Sequence, residues 1–264
     1  MGFSRVLLTG AAGRIGSCLR PALREHVDEL RLSDRVEPAS PASGPEAFFQ
    51  AELADAEAVA RAVDGVEAVI HLGGVPDETS FDKLAPANLI GGFNVFEAAR
   101  RSGVTRVIYA SSNRIIGFHP VTRRLTPEDP VRPDGLYGVT KAFGEALGRM
   151  YADRFGLEVV CVRIGSFDER PSEARHLTTW LSPADAVRLF RACLDAEAID
   201  FLTVWGVSAN TRSWWEGADA AARIGYEPRD DAERFADELP AAGEDEGTGL
   251  QGGRFTAPGY GGWA

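Results

Sequence analysis

Tyr137 and Lys141 stand one helical turn apart in Tyr137-Gly138-Val139-Thr140-Lys141, downstream of Ser111-Ser112-Asn113. The chain holds only two lysines, Lys83 and Lys141, among 28 lysine and arginine residues. In so arginine-biased a sequence, a lysine at this spacing marks a position that needs an ammonium: a compact charge on a flexible stem passes beside a phenol where the planar guanidinium is bulkier. A phenol that removes a proton from an alcohol must fall from its ordinary pKa of about 10 by about three units, or about 4 kcal/mol. Lys141, on the same helix face, is one source of the positive charge required. Ser112 would orient the reacting hydroxyl. Tyr-x-x-x-Lys also arises by chance on helices, so its meaning depends on its surroundings.

Those surroundings include Gly10-Ala11-Ala12-Gly13-Arg14-Ile15-Gly16, directly after the apolar run Val6-Leu7-Leu8-Thr9 and before the helical spacing of Ile15 to Leu23. A glycine turn between strand and helix lets the backbone approach a pyrophosphate and presents unpaired helix N–H groups to it, the context of a dinucleotide fingerprint. Asp34 ends a second strand over Glu29 to Ser33, where a carboxylate accepts hydrogen bonds from ribose hydroxyls. It repels a 2'-phosphate, which favours NAD over NADP, although Arg35 next door could receive that phosphate and Asp34 could be a solvated turn. An oxidised nicotinamide would be a second positive charge beside Tyr137.

The remaining pattern alternates. Strands are expected at Ala47–Gln50, Ala68–Leu72, Arg106–Ala110 and Glu158–Arg163, and helices over 55–63, over 86–101 and from Tyr137 to about Arg154. Such alternation predicts an α/β fold, a Rossmann-type doubly wound parallel sheet with the ligand crevice at the strands' carboxyl ends. Residues 1–163 would form the NAD-binding core, and 164–264 a small C-terminal substrate-binding lobe integrated with it. In that second part Ser182-Pro183-Ala184-Asp185 is a helix start, Phe201 to Trp205 a strand and Asp230 to Glu238 a helix, while the tail from Pro240 is glycine-rich and aperiodic. His71 reads as a hydrogen-bonded core residue, and Trp214-Trp215 as packing.

A net charge of -11 excludes a nucleic-acid partner, which would demand a basic face. No run of about 18 apolar residues exists to span a membrane. Three scattered cysteines suggest neither disulfides nor a metal site, so a cytoplasmic setting is expected and no metal. An anionic substrate would need a local cationic group within this acidic surface.

Together, Gly10-x-x-Gly13-x-x-Gly16, Ser112 and Tyr137-x-x-x-Lys141 resemble the extended short-chain dehydrogenase/reductases. The resemblance sharpens towards the uronate dehydrogenase family at His71-Leu72-Gly73-Gly74, Ala110-Ser111-Ser112-Asn113-Arg114-Ile115-Ile116-Gly117 and Arg132-Pro133-Asp134-Gly135-Leu136-Tyr137-Gly138. It continues at Val162-Arg163-Ile164-Gly165-Ser166, Thr179-Trp180 and Val204-Trp205-Gly206-Val207-Ser208-Ala209-Asn210, and so spans nearly the whole chain. It implies NAD-dependent oxidation of galacturonate or glucuronate at C1 to an aldarolactone, with Ser112, Tyr137 and Lys141 catalytic, and it implies self-association. Carried over by resemblance, Gly10, Gly13, Arg14, Ile15, Gly16, Asp34, Leu53, Leu72, Gly73, Gly74, Asn88, Tyr137, Lys141 and Ile164 would line the cofactor. Ser112, Asn113, Arg114, Tyr137, Ser166, Arg175 and Phe255 would hold the sugar, with Arg175 on its carboxylate. Three positions depart from the family pattern: Glu52 for aspartate, Pro76 for serine and Arg114 for histidine. A nucleotide-sugar epimerase or dehydratase, for which the chain is short, and a non-catalytic dinucleotide sensor, which would be expected to lose Tyr137 or Lys141, are the rival readings.

Overall fold

The computed structural model describes residues 2–239 and 249–261. Its strands are β1 Arg5–Thr9, β2 Glu29–Asp34, β3 Glu46–Gln50, β4 Ala68–His71, β5 Arg106–Ser112, β6 Glu158–Ile164, β7 Ser166–Phe167, β8 Trp180–Leu181 and β9 Phe201–Gly206. Its α-helices are α1 Arg14–Arg24, α2 Ala56–Val63, α3 Phe81–Leu84, α4 Gly91–Arg101, α5 Leu136–Phe155, α6 His176–Thr179, α7 Pro183–Asp195 and α8 Ala218–Arg223. One sheet runs β3-β2-β1-β4-β5-β6-β9, all parallel, and β7 pairs with β8 beside it.

The side chains of β1 show why helices cover both faces. Val6 and Leu8 point to one side and pack with Leu19 and Leu23 of α1, Leu189 and Phe190 of α7 and Ile224 beyond α8. Leu7 points to the other and packs with Val59 and Val63 of α2, Val95 and Phe96 of α4 and Tyr151 of α5. The central strands β4 and β5 are buried along their whole length, as expected of strands covered on both sides. Strand order reverses direction between β1 and β4, so the loops after these two strands part and leave a crevice at their carboxyl ends.

Helix ends are set by capping residues, of which Ser182 with Pro183 was read from the sequence. The Asp55 side chain accepts from the Glu57 and Ala58 N–H groups, Ser182 accepts from Asp185 N–H with Pro183 in the first turn, and Gly156, at φ 71°, closes α5 in the left-handed conformation.

Two segments differ from expectation. The helix predicted from Pro86 begins at Phe81 and contains a π-helical turn, Ala85–Ile90. Pro86 brings no N–H to the helical ladder, and the wider turn carries Asn88 into the interior, where it is 5% exposed. The helix predicted over 230–238 is instead a 3₁₀ segment, Ala232–Glu238, capped by Asp231. Of the aperiodic tail, Pro240–Thr248 lie outside the described residues. Residues 249–261 return to the fold through a bridge between Leu250 and Pro120 and a 3₁₀ turn at Gly253–Thr256. No helix among the described residues is long and apolar enough to cross a membrane.

Candidate active site

The wall formed by β1 and β2 is shaped by backbone. Gly10 turns at φ 70°, and Gly13 N–H donates to its carbonyl at 3.0 Å. A β-carbon on Gly16 would sit 2.3 Å from that carbonyl oxygen, and one on Gly10 would sit 2.8 Å from Gly73 N, so only glycine permits these loops to meet. Arg14 and Ile15 begin α1; Arg14 is exposed and pairs with Asp168 at 3.1 Å. Asp34, at the end of β2, accepts from Ala12 N–H at 3.0 Å, which holds its carboxylate at the glycine turn.

The β4 end faces this turn. Leu72 N–H donates to Thr9 O at 3.3 Å, and Gly73 N–H donates to the Thr9 hydroxyl at 3.2 Å. That hydroxyl lies 2.8 Å from His71 Nδ1. Burial, helped by the Lys141 charge, pushes His71 down to about 3, so the imidazole is neutral and shares one hydrogen bond with the threonine hydroxyl. Leu53 packs against Gly73, leaving only 2.9 Å to a β-carbon there. Asn88 fixes the following loop: its Oδ1 accepts from Val75 N–H at 2.7 Å, and its Nδ2 donates to Val75 O at 3.1 Å and to Thr140 Oγ1 at 3.0 Å. A cradle of close-approach glycines, a free helix start and a carboxylate at the second strand suits a dinucleotide.

Tyr137, Ser112 and Lys141 meet at the carboxyl end of β5. Ser112 is the last residue of that strand, paired in register with Ile164 of β6. Lys141 Nζ donates to Ala110 O at 2.8 Å and lies 5.7 Å from the centre of the Tyr137 ring. Burial lowers Lys141 to about 8. Burial also pushes the Tyr137 phenol up to about 12, against the opposing pull of a Ser112 hydrogen bond and the Arg114 charge. The sequence argument expected Lys141 and the oxidised nicotinamide together to make the phenol acidic; in the protein alone desolvation wins, since the ammonium is engaged by a carbonyl and stands off from the ring.

Near these residues Glu145 on α5 joins two strands, β5 and β6: it accepts from the Ser111 hydroxyl at 2.6 Å and from the Arg163 fork at 3.0 and 2.9 Å, while Arg163 also donates to Pro127 O in the loop before α5.

The opposite wall is built from side chains of distant segments. The Arg175 Nε donates to Gln251 O at 2.8 Å and its Nη1 to Ser166 Oγ at 3.4 Å, and Ser166 Oγ lies 2.8 Å from Thr179 Oγ1. No carboxylate pairs with Arg175 among the described residues, and burial lowers it to about 10 despite Glu173 and Asp134 nearby. Phe255 lies 5.6 Å from the Arg175 guanidinium and 4.0 Å from that of Arg114, which in turn is 5.8 Å from the Tyr137 ring. The chain Tyr137, Arg114, Phe255, Arg175 is thus continuous. Asn113 sits beside Ser112, its Oδ1 3.4 Å from the serine hydroxyl.

Sequence reasoning missed three residues here. Glu78 accepts from Leu136 and Tyr137 N–H at 2.8 and 3.1 Å. Asp134 accepts from Arg114 Nε at 2.5 Å, while its other oxygen is buried with no hydrogen-bond partner and its pKa rises to about 6 through burial. Gln251, fully buried, receives Trp215 Nε1–H at 2.8 Å and donates to the Pro120 and Arg123 carbonyls, pinning the C-terminal segment. The only available signals were the position of Asp134 just ahead of a helix start and the amide of Gln251 inside a glycine-rich tail.

The family model of the NAD dependent epimerase/dehydratase family matches residues 6–224. Uronate dehydrogenase of Pseudomonas putida is 43% identical over 263 residues, covering 97% of this chain and 97% of the relative. The chain belongs to the uronate dehydrogenase branch of that family. A crystal structure of a mutant uronate dehydrogenase from Agrobacterium tumefaciens complexed with NAD aligns with a TM-score of 0.91 at 43% identity, covering 96% of this chain and 97% of the other. Glucuronic acid dehydrogenase from Chromohalobacter salexigens aligns with a TM-score of 0.93 at 41% identity, covering 99% and 100%.

Proposed function

We propose that the protein oxidises a hexuronic acid, D-galacturonate or D-glucuronate, at C1 to the aldarolactone with NAD. The observation that carries this reading is the run of contacts from Tyr137, beside Ser112, through Arg114 and Phe255 to Arg175, an arginine with no carboxylate partner among the described residues. Relatives named uronate dehydrogenase match along nearly the full chain.

Gly10, Gly13, Arg14, Ile15 and Gly16 would hold the pyrophosphate of NAD, Asp34 the adenosine ribose and Leu53 the adenine end. Leu72, Gly73, Gly74, Asn88 and Ile164 would line the path to the nicotinamide. When bound, NAD supplies the hydride acceptor and a positive ring beside the phenol. Tyr137 takes the proton of the C1 hydroxyl, Ser112 orients that hydroxyl, and Lys141 and Arg114 favour the phenolate that must exist before the proton moves. Arg175 takes the sugar carboxylate with its forked donors, and Asn113, Ser166 and Phe255 fix the ring, whose distance from Tyr137 is thereby set. The segment after β6 acts as the substrate lobe. Arg114 faces carboxylates with all its nitrogens and so contributes charge and stacking area rather than a free anion site.

The decisive experiment is a substrate panel followed by absorbance of reduced cofactor: galacturonate, glucuronate, the matching neutral sugars and a nucleotide sugar, each with NAD and NADP. Turnover is expected for the uronates with NAD. Conversion of the nucleotide sugar alone, read by chromatography of the sugar because such a reaction returns its hydride and leaves no net reduced cofactor, would favour the epimerase reading, and NAD binding without turnover the sensor.

Self-association is proposed through α4 and α5, where Phe93, Val139, Phe143 and Met150 are large apolar side chains left exposed beside Ile90; a light-scattering mass equal to one chain would refute it. The three cysteines are free thiols, which supports a reducing, cytoplasmic setting.

A further inference from the structure

We propose that Glu78 is the positioning residue of Tyr137, and that Arg114 locks it there; the inference rests on the reading of Tyr137 as the base and names what holds it. A helix start leaves its first N–H groups without partners, and the residue that normally caps it is Gly135, which has no side chain to do so. The cap comes from elsewhere. Glu78, in the loop between β4 and α3, has a side chain only 1% exposed. Its two oxygens take the N–H groups of Leu136 and Tyr137, an arrangement that a carboxylate at a helix N-terminus strengthens electrostatically.

Two glycines either side of Tyr137 make room for this contact. A β-carbon on Gly135 would fall 2.2 Å from Glu78 Oε2, and one on Gly138 would fall 2.5 Å from the Arg114 carbonyl oxygen. Arg114 then ties the parts together. Its Nη2 lies 3.4 Å from Glu78 Oε2 and its Nε 2.5 Å from Asp134 Oδ1. Its own N–H donates to the Ser112 hydroxyl at 3.2 Å, and its carbonyl accepts from Asp134 N–H at 3.1 Å. One side chain therefore joins the end of β5, which carries Ser112, to the start of α5, which carries Tyr137, through the carboxylate that caps that helix. Glu78 belongs to the same loop as Gly73 and Gly74, so the phenol is indexed to the wall where the dinucleotide would lie. A base displaced by a fraction of an ångström keeps its chemistry but loses its alignment, a loss that appears in turnover rather than in cofactor binding.

The test compares Glu78→Gln, Glu78→Ala and Arg114→Lys in the full-length protein. Glu78→Gln leaves one acceptor oxygen for two N–H groups and is expected to lower kcat about 10-fold, and Glu78→Ala about 100-fold. The KM for NAD should stay within about twofold, because binding shared by ground and transition states is untouched. Arg114→Lys, which keeps the charge but not the fork, should lie between wild type and Glu78→Gln. Amide hydrogen exchange supplies a readout independent of turnover: Glu78→Ala should lose protection at Leu136 and Tyr137 while β1 and β5 keep theirs. Unchanged protection at those two amides, or unchanged kcat in Glu78→Ala, overturns the proposal. A wild-type protein that turns over no uronate defeats the functional reading instead, and the exchange result then still decides whether Glu78 anchors Tyr137.

Discussion

On the proposed cofactor side of the site Gly10, Gly13 and Gly16 shape the wall with backbone taken from a single turn, whereas on the proposed substrate side Ser166, Arg175, Gln251 and Phe255 come from separate segments joined by side-chain contacts. The first wall depends on the absence of atoms and the second on their placement. Backbone N–H groups and close approach recognise a feature shared by all dinucleotides, a pyrophosphate. Forked donors and stacked rings recognise one sugar. A family can therefore keep the first wall and exchange the second. Arg114 lies in the second wall, where Asp77, Glu78 and Asp134 surround its guanidinium and leave no nitrogen free for a further anion.

Where the walls meet, the largest effect is expected. Tyr137→Phe removes the only atom proposed to take the proton, and general-base contributions are about 10²- to 10⁴-fold. Turnover should fall by that amount, while the dissociation constant for NAD, measured by quenching of tryptophan fluorescence, should change little. Equal loss of both would show that the two walls are not separable. Next comes the substrate wall. Arg175→Met should lower kcat/KM for the uronate about 10- to 100-fold, the weight of one or two charge-assisted hydrogen bonds at about 1.5–3 kcal/mol. The neutral sugar of the same stereochemistry should lose much less, and NAD binding nothing. An equal loss for acid and neutral sugar would mean that Arg175 holds Gln251 and the tail rather than a carboxylate.

On the cofactor wall the comparable change is smaller. Asp34→Asn keeps an acceptor for Ala12 N–H but removes the charge that opposes a 2'-phosphate. The ratio of kcat/KM for NAD to that for NADP should fall about 10-fold, the size of about 1.4 kcal/mol. Exposed Arg35 stands ready to meet the phosphate. A ratio left as it was would mean that the discrimination is made by shape.

The same contrast explains what was legible before the structure. The strands, the glycine turn, the Asp34 position and the Tyr137 to Lys141 spacing are local, because periodicity and short-range spacing encode them. β1 and β5 both read as apolar runs rather than alternating patterns, because helices cover both faces of each. The π-helical turn at Asn88 was invisible because the partners that stabilise it, Val75 and Thr140, lie outside any helical window. Glu78 was invisible for a like reason: its partner Tyr137 N–H is 59 positions away, and nothing in Asp77-Glu78-Thr79 distinguishes a cap from a solvated turn. Gln251 sits in a tail whose glycine content reads as loop, and only the arrival of Trp215 and Arg175 gives it a function. The burial that raises Tyr137 in the protein alone was equally invisible, since spacing reports that Lys141 is near but not how much water the fold removes.

The cofactor wall also contains side-chain fasteners, Asp34 on Ala12 N–H among them, and the smallest prediction asks whether a buried one matters. His71 holds the Thr9 hydroxyl, which holds Gly73 N–H, so an imidazole 2% exposed stands behind a wall shaped mainly by backbone. Its pKa falls to about 3 in the fold because burial and Lys141 oppose its charge, against about 6.5 in an unfolded chain. Between those values the unfolded state binds more protons than the native state, so stability rises with pH across that window and is lost as pH falls below about 6.5. From pH 7 to pH 5.5 this one group should cost about 1 kcal/mol, read as a lower urea midpoint. His71→Gln has no proton to gain and should flatten that part of the curve; its amide can still accept from Thr9. If the slope between pH 7 and 5.5 is the same in both proteins, His71 is either charged in the fold or exposed, and the hydrogen bond between Thr9 and a neutral ring is wrong.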